Sequence, residues 1–292
     1  MLFNVVHTTT YQYVEEAMEA YLEVRLTPPV RAEQKVLSHR IEFHPTARAS
    51  DYNDYFGNRT TFYSMTLRHR QLKVTNKLTV RTLPRIRPEF GLALTIAEAR
   101  QILKTTGPSV FDYLQSTAAI PVTPDSAAWA KEILRENRPL EDGLNELNTT
   151  IWREFKYRSG STENETPLSE IWKMREGVCQ DFAHVMLSIL RAAHIPCRYV
   201  CGYIESETIP LDPTRKGLIG SLATHAWVEI LVPGMVWVAL DPTNNQWCAE
   251  QHVTVAVGRD FIDATPVKGT FKGSASQKLK VHVKVERVPE KI

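Results

Sequence analysis

A cysteine precedes a strongly periodic apolar segment near the middle of this 292-residue chain. Gly177 and Val178 lead into Cys179, and the apolar residues that follow recur at the spacing of one helical face. The pattern predicts a helix over about 180–193, stopped by Pro196. Cys179 would then lie at the helix N-terminus, where unpaired backbone N–H groups favour a thiolate and can hold an oxyanion. That position suits a nucleophile, although a cysteine at a helix start can also be purely structural.

A histidine and an aspartate lie on two β-rich segments downstream of this helix. His225 is eight residues before Pro233, and Asp241 is eight residues after it. Pro233-Gly234 is a turn signal, and a hairpin centred on Pro233 would place His225 directly opposite Asp241. Side chains in that relation have Cβ atoms roughly 4.5–5.5 Å apart, close enough for a carboxylate to orient an imidazole and keep it charged. A slip of one residue would send the two side chains to opposite faces of the sheet.

Three further side chains are candidates for supporting roles. Gln180 could supply a side-chain donor to an oxyanion. His184 could either support the site, by contacting the Asp181 side chain or a neighbouring element, or simply pack in the core. Trp227 shares a strand face with His225 and would either shield the site from water or pack in the core.

The remaining cysteines raise the alternative of a zinc site. Cys197-x3-Cys201 and Cys248-x3-His252 would supply four ligands, but this spacing is unusual for structural zinc. Cys197 and Cys201 lie on a predicted strand, where they would be roughly 13 Å apart, too far to share one ion at ~2.3 Å. We therefore expect no metal, and the three cysteines are interpreted as small buried apolar residues.

Composition excludes several classes of protein. A net charge of +2 with no long run of Lys or Arg argues against a nucleic-acid partner. No stretch approaches the ~18 apolar residues of a membrane span, and the first residues have neither the basic nor the apolar region of a secretory signal. Four cysteines in a chain of this length do not form a disulfide framework. We expect a cytoplasmic protein with no membrane association, of undetermined oligomeric state.

The distribution of strand, helix and turn signals predicts four segments. These are a β-rich, sandwich-like N-terminal domain (1–90), a connecting segment (91–124), a catalytic core (125–265) and a C-terminal β tail (266–292). Within the first segment, Leu2–Val6 and Tyr11–Val14 are predicted to form a hairpin. The fold class is therefore α+β.

Several of these sequence pieces together resemble the transglutaminase-like superfamily. They are Gly-Val-Cys-Gln-Asp-Phe-Ala-His (177–184), Cys-Arg-Tyr-Val-Cys-Gly-Tyr (197–203), Thr-His-Ala-Trp-Val-Glu (224–229) and Trp-Val-Ala-Leu-Asp-Pro-Thr-Asn-Asn (237–245). The resemblance implies a papain-like triad with Cys179 as nucleophile, His225 as base and Asp241 as orienting acid. It also implies a core whose nucleophile begins a central helix packed on an antiparallel sheet.

The N-terminal part resembles the region that precedes this core in bacterial members of the superfamily. The matching pieces are His-Thr-Thr-Thr-Tyr-Gln-Tyr (7–13), Arg-Leu-Thr-Pro (25–28) and Tyr-Phe-Gly-Asn (55–58).

The function implied by the resemblance is cysteine-dependent acyl transfer through a thioester. Hydrolysis of a peptide or γ-glutamyl-type amide bond is favoured, and transamidation or a non-catalytic binding protein on the same fold remain alternatives. Peptide N-glycanases share the core but generally carry a Cys-x-x-Cys zinc module that is absent from this sequence. No acidic loop has EF-hand-like spacing, so no cofactor is expected, although calcium dependence stays open. The expected partner is a peptide or protein amide substrate.

Overall fold

The computed structural model describes residues 1–105, 107–205, 218–219, 223–273 and 276–289. It begins with six consecutive strands. They are β1 (Leu2–Ala17), β2 (Glu19–Thr27), β3 (Gln34–His44), β4 (Arg48–Asn53), β5 (Arg59–Met65) and β6 (His69–Thr82). Four helices and a 3₁₀ turn follow. They are α1 (Glu89–Ala93), α2 (Ile96–Lys104), the 3₁₀ turn Pro108–Leu114, α3 (Pro124–Ile133) and α4 (Leu140–Glu154).

The second half of the chain mixes short helices with a central sheet. Its elements are β7 (Lys156–Tyr157), α5 (Leu168–Met174), β8 (Glu176–Gly177), α6 (Cys179–Ala192), β9 (Cys197–Ile204), β10 (His225–Val232), β11 (Val236–Asp241), β12 (Gln246–Trp247), β13 (His252–Gly258), α7 (Phe261–Ala264), β14 (Val267–Lys272) and β15 (Gln277–Arg287). None of the helices among the described residues is long and apolar enough to cross a membrane.

The N-terminal strands form two four-stranded antiparallel sheets. Their strand orders are β15-β1-β6-β3 and β14-β2-β5-β4. Alternate side chains of β1 and β2 point into one shared apolar core, as the two-residue period of a strand requires. The predicted tail 266–292 contributes a strand to each sheet, since β14 pairs with β2 and β15 pairs with β1.

The predicted hairpin within β1 is wrong. Residues 2–17 form one continuous strand, which pairs with β15 from Phe3 to Tyr13. The reason is local, because Thr8-Thr9-Thr10 are β-branched residues that favour a strand and no turn residue interrupts them.

The core is a five-stranded antiparallel sheet with α6 packed on one face. The strand order is β12-β11-β10-β9-β13. Helix α6 is buried along nearly its whole length, since α3, α4 and α5 cover it on the side away from the sheet. The α+β fold class is therefore confirmed, with Cys179 as the first residue of the central helix.

Candidate active site

The start of α6 is held by the side chain of Asp181. Its Oδ2 accepts hydrogen bonds from the Val178 backbone N–H (2.8 Å) and from the Thr162 hydroxyl (2.6 Å). A Cβ at Gly177 would lie 2.6 Å from the same carboxylate oxygen, so this position requires glycine. Cys179 is thereby fixed at the N-terminal end of the helix, where the first backbone N–H groups have no partner within the helix. The residue is 9% exposed.

The hairpin that carries His225 and Asp241 has a different register from the one predicted. Val232 pairs with Val236, so the turn is a three-residue loop centred on Gly234 rather than on Pro233. Gly234 and Met235 both adopt positive φ (96° and 61°), which closes this longer loop. Direct opposition of His225 and Asp241 is therefore wrong.

The register shift leaves the pair on one face of the sheet. Val228 pairs with Leu240, which places Asp241 opposite Trp227 and makes His225 its diagonal neighbour. Because the shift is two residues and strand side chains alternate, the side on which they lie is unchanged. His225 Nε2 and Asp241 Oδ2 are 2.8 Å apart, and both side chains are fully buried.

The electrostatics of this pair favour an imidazolium. Burial alone would lower the pKa of His225, but the Asp241 carboxylate outweighs it and, with a hydrogen-bonding interaction to Cys179, raises the pKa to about 10. His225 Nδ1 is buried and has no other hydrogen-bond partner among the described residues. Nδ1 is thus the ring nitrogen left to face the thiol, as a cysteine–histidine nucleophile requires.

Several donors besides His225 hold the Asp241 carboxylate in place. Oδ1 accepts from the backbone N–H groups of Thr243 (3.0 Å) and Asn244 (3.2 Å), while Oδ2 also accepts from Asn244 Nδ2 (2.7 Å) and lies 3.3 Å from His252 Nε2. Burial would raise the pKa of Asp241, but the charge and hydrogen bond of His225, and then the interaction with His252, hold it far below its usual range. The carboxylate therefore stays charged and oriented.

The three supporting candidates take different positions. Gln180 Nε2 donates to the Asn164 carbonyl (3.0 Å), which ties the loop before α5 to the helix. His184 accepts a hydrogen bond from the Phe261 backbone N–H (3.3 Å) at the start of α7, and burial lowers its pKa to about 3. His184 is therefore a neutral acceptor in the core. Trp227 is fully buried beside His225, with ring centroids 6.2 Å apart.

Sequence reasoning missed three residues around Cys179, His225 and Asp241. The Tyr157 ring meets that of Phe182 in α6, with centroids 6.4 Å apart, and burial and then the negative charges of Cys179 and Asp181 raise the pKa of Tyr157 to about 12. Asn244 and His252 both contact Asp241. Asn244 follows Asp241 closely enough for a turn analysis to find it, whereas His252 arrives from a separate strand.

The four residues considered as zinc ligands lie at different places in the central sheet. Cys197 and Cys201 are on β9, Cys248 follows β12, and His252 begins β13. Cys197, Cys201 and Cys248 are buried, and burial raises the pKa of each thiol, to about 11 for Cys197 and about 12 for Cys201. In the part of the chain that the structure describes, no cluster of His, Cys, Asp and Glu side chains could hold a metal ion.

Comparisons with known proteins agree with this architecture. Residues 127–242 match the family model of the transglutaminase-like superfamily, and residues 3–81 match that of the bacterial transglutaminase-like N-terminal region. An uncharacterized protein of Mycobacterium leprae is 33% identical over 98% of this chain and 98% of its own length. One from Mycobacterium tuberculosis is 31% identical over 98% of this chain and 92% of its own length.

The chain belongs to the transglutaminase-like superfamily.

Two further matches concern a solved structure and a characterised enzyme. A crystal structure from Cytophaga hutchinsonii, described as a candidate cysteine protease, has a TM-score of 0.78 with 21% identity and covers 100% of this chain and 92% of its own, which shows a shared fold. A protein-glutamine gamma-glutamyltransferase of Pseudomonas aeruginosa is 38% identical over 73 residues, only 25% of this chain and 11% of that protein. The match to the superfamily's core, over residues 127–242, includes Cys179, His225 and Asp241.

Proposed function

We propose that this protein is a cysteine-dependent acyl-transfer enzyme that hydrolyses peptide or γ-glutamyl-type amide bonds. The observation that carries the proposal is the buried His225–Asp241 hydrogen bond, 2.8 Å long, with the other imidazole nitrogen left for Cys179. A buried histidine with a raised pKa beside a thiol at a helix start is an arrangement that generates a thiolate at neutral pH. Membership of the superfamily and the shared fold support the same chemistry.

The first half of the reaction forms a thioester. The Cys179 thiolate attacks the amide carbon, and the backbone N–H at the start of α6 stabilises the oxyanion. The His225 imidazolium then gives its proton to the leaving amine as the C–N bond breaks, and neutral His225 and a Cys179 thioester remain. Asp241 keeps the ring oriented throughout and does not itself take the proton.

The second half resolves the thioester. His225 removes a proton from water, whose oxygen attacks the thioester carbon, and the carbon–sulfur bond breaks to release a carboxylic acid and the Cys179 thiolate. A primary amine in place of water would give transamidation. The local identity to a protein-glutamine gamma-glutamyltransferase is the observation that favours this second candidate.

Chromogenic amides test the proposal. We expect the full chain to release p-nitroaniline from a γ-glutamyl or a peptide p-nitroanilide, and Cys179→Ala to abolish that release. Mass analysis with and without a primary amine separates the two acyl acceptors, because hydrolysis leaves a free acid and transfer leaves a new amide. An amide product that dominates when amine is present would favour transamidation. If Cys179→Ala released p-nitroaniline as fast as the unaltered chain, the proposal would be wrong.

A further inference from the structure

A second buried histidine reaches the carboxylate of the proposed triad. His252, the first residue of β13, has its Nε2 atom 3.3 Å from Asp241 Oδ2. Both side chains are completely buried. Nothing in the proposed reaction requires a second imidazole at this carboxylate, so the contact calls for a separate explanation.

The backbone fixes the tautomer of His252. The Ala249 N–H donates to His252 Nδ1 at 3.2 Å, and a ring nitrogen that accepts a hydrogen bond carries no proton. The proton of a neutral His252 ring is therefore on Nε2, which points it at Asp241 Oδ2. A carboxylate can only accept, so the donor is His252 and the acceptor is Asp241.

The charges around His252 keep the ring neutral. Burial lowers its pKa, and the positive charges of His225 on β10 and Arg85 after β6 act in the same direction. The Asp241 carboxylate on β11 opposes them without overcoming them. His252 therefore offers Asp241 a hydrogen bond without a competing positive charge, so the carboxylate's charge remains available to His225.

The contact between His252 and Asp241 depends on a glycine in the sheet, Gly202. Strand β9 lies between β10 and β13, and its Gly202 pairs with His225 on one side and with Thr254 on the other. A Cβ at Gly202 would lie 2.3 Å from the Trp227 ring, which meets the His252 ring edge-on at 5.3 Å. The missing side chain lets Trp227 lie across β9 against His252.

We propose that His252 is a positioning residue, which holds the Asp241 carboxylate through a neutral Nε2–H donor and so fixes the orientation of His225. The inference rests on the proposed function, because it assigns a role within that site. It predicts that the donor, rather than the volume of the ring, is what the site needs from His252.

Replacing His252 separates the donor from the volume. His252→Leu fills the space without a donor, whereas His252→Gln keeps an N–H group near the position of Nε2. The measurement is the rate at which p-nitrophenyl acetate acetylates Cys179 at pH 7, followed by intact mass. Because a lost hydrogen bond to a charged group is at stake, we expect His252→Leu to react about 10- to 100-fold more slowly and His252→Gln to stay within about threefold of the unaltered chain. His69→Leu, which alters a buried histidine of the sandwich, controls for the loss of a buried ring.

The outcomes distinguish this inference from the proposed function. If Cys179 of the unaltered chain reacted no faster than in unfolded protein, both would be overturned. If the unaltered chain reacted quickly and His252→Leu matched it, or if His252→Gln were as slow as His252→Leu, only the positioning role would be lost. Nitrogen-15 NMR of the unaltered chain gives a readout that needs no variant to fold. We expect a neutral Nε2–H tautomer for His252 at pH 7, and an Nδ1–H tautomer or a doubly protonated ring would overturn the inference.

Discussion

Asp241 shows how a single carboxylate can organise a site. Its own turn supplies two backbone donors, from Thr243 and Asn244, and the histidine on the neighbouring strand supplies a third. Since the carboxylate holds the pKa of His225 near 10, against an ordinary value of 6.5, the imidazolium persists through neutral pH. The proposed thiolate–imidazolium pair is therefore expected across a broad pH range.

Residue types at this site could be predicted from sequence more fully than residue contacts. Cys179, His225 and Asp241 stand out because each lies at the start or end of a regular element. The role of His252 could not be found in this way, since its contact with Asp241 joins β13 to β11 across the two strands between them and depends on Gly202 in one of those strands. No local pattern encodes such a contact.

At the scale of elements, α6 is where sequence and structure agree best. The predicted helix 180–193 lies within one residue of Cys179–Ala192, because an apolar period of 3.6 over four turns leaves little freedom. The hairpin of β10 and β11 was harder, since Pro233-Gly234 marks a turn but not its length. The loop is centred one residue later than predicted, on Gly234 instead of Pro233, and this moves the register by two.

Strand β9 provides the sharpest test at this scale. In Gly202→Ala the new methyl group would meet the Val253 carbonyl oxygen at 2.2 Å and the Trp227 ring at 2.3 Å, so the strands beside His225 must shift. We expect the free energy of unfolding to fall by about 1–3 kcal/mol, as for overpacked cores, and alkylation of Cys179 to slow. Chemical denaturation measures the first effect.

Gly273→Ala is the matched control for this substitution. Its new methyl group would lie 3.3 Å from a ring carbon of Phe271, which is a tight contact but about 1 Å longer than those at Gly202. Equal stability of the Gly202→Ala and Gly273→Ala proteins would contradict the packing described around Trp227.

At the scale of the whole molecule, the sandwich is bonded directly to the sheet that carries the site. The side-chain amide of Gln34 makes two hydrogen bonds of 2.9 Å to the backbone of Thr254, and that of Asn58 makes two of 2.8 Å to the backbone of Val257. Strand β13 is at the edge of its sheet, so these amides occupy backbone groups that would otherwise be unpaired.

A buried carboxylate completes this interface. Glu229, four residues after His225 on β10, is within 2.5 Å of Arg31, 2.7 Å of Arg198 and 3.7 Å of Arg85. Burial alone would raise the pKa of Glu229, but Arg31 and then Arg198 outweigh it and hold the pKa far below its ordinary value of 4.5. Two of the three arginines belong to the N-terminal part, so the network joins it to the core.

Glu229→Gln should therefore destabilise the whole molecule. Removing one partner leaves buried arginines unpaired, and we expect the free energy of unfolding to fall by about 3–5 kcal/mol. A depressed folded-state pKa stabilises the protein above about pH 4.5, and that stability is lost as pH falls. The unaltered chain should thus lose more stability than Glu229→Gln between pH 6 and pH 3, measured by denaturant unfolding.

A surface ion pair supplies the comparison for Glu229. Arg153 and Glu154 are 64% and 45% exposed, so Glu154→Gln should change the free energy of unfolding by less than about 1 kcal/mol. If Glu229→Gln behaved like Glu154→Gln, the network would not hold the two parts together.

The central claim is that His225 activates Cys179, and selective alkylation tests it most directly. The full chain is treated with limiting iodoacetamide from pH 4 to pH 9, and the modified cysteine is mapped by mass spectrometry. The other three cysteines, buried and with raised thiol pKa values, serve as internal controls. We expect fast, selective alkylation of Cys179 below pH 7 that slows in His225→Ala, because the imidazolium stabilises the thiolate. Alkylation of Cys179 at the rate of an ordinary thiol, unchanged in His225→Ala, would contradict the account.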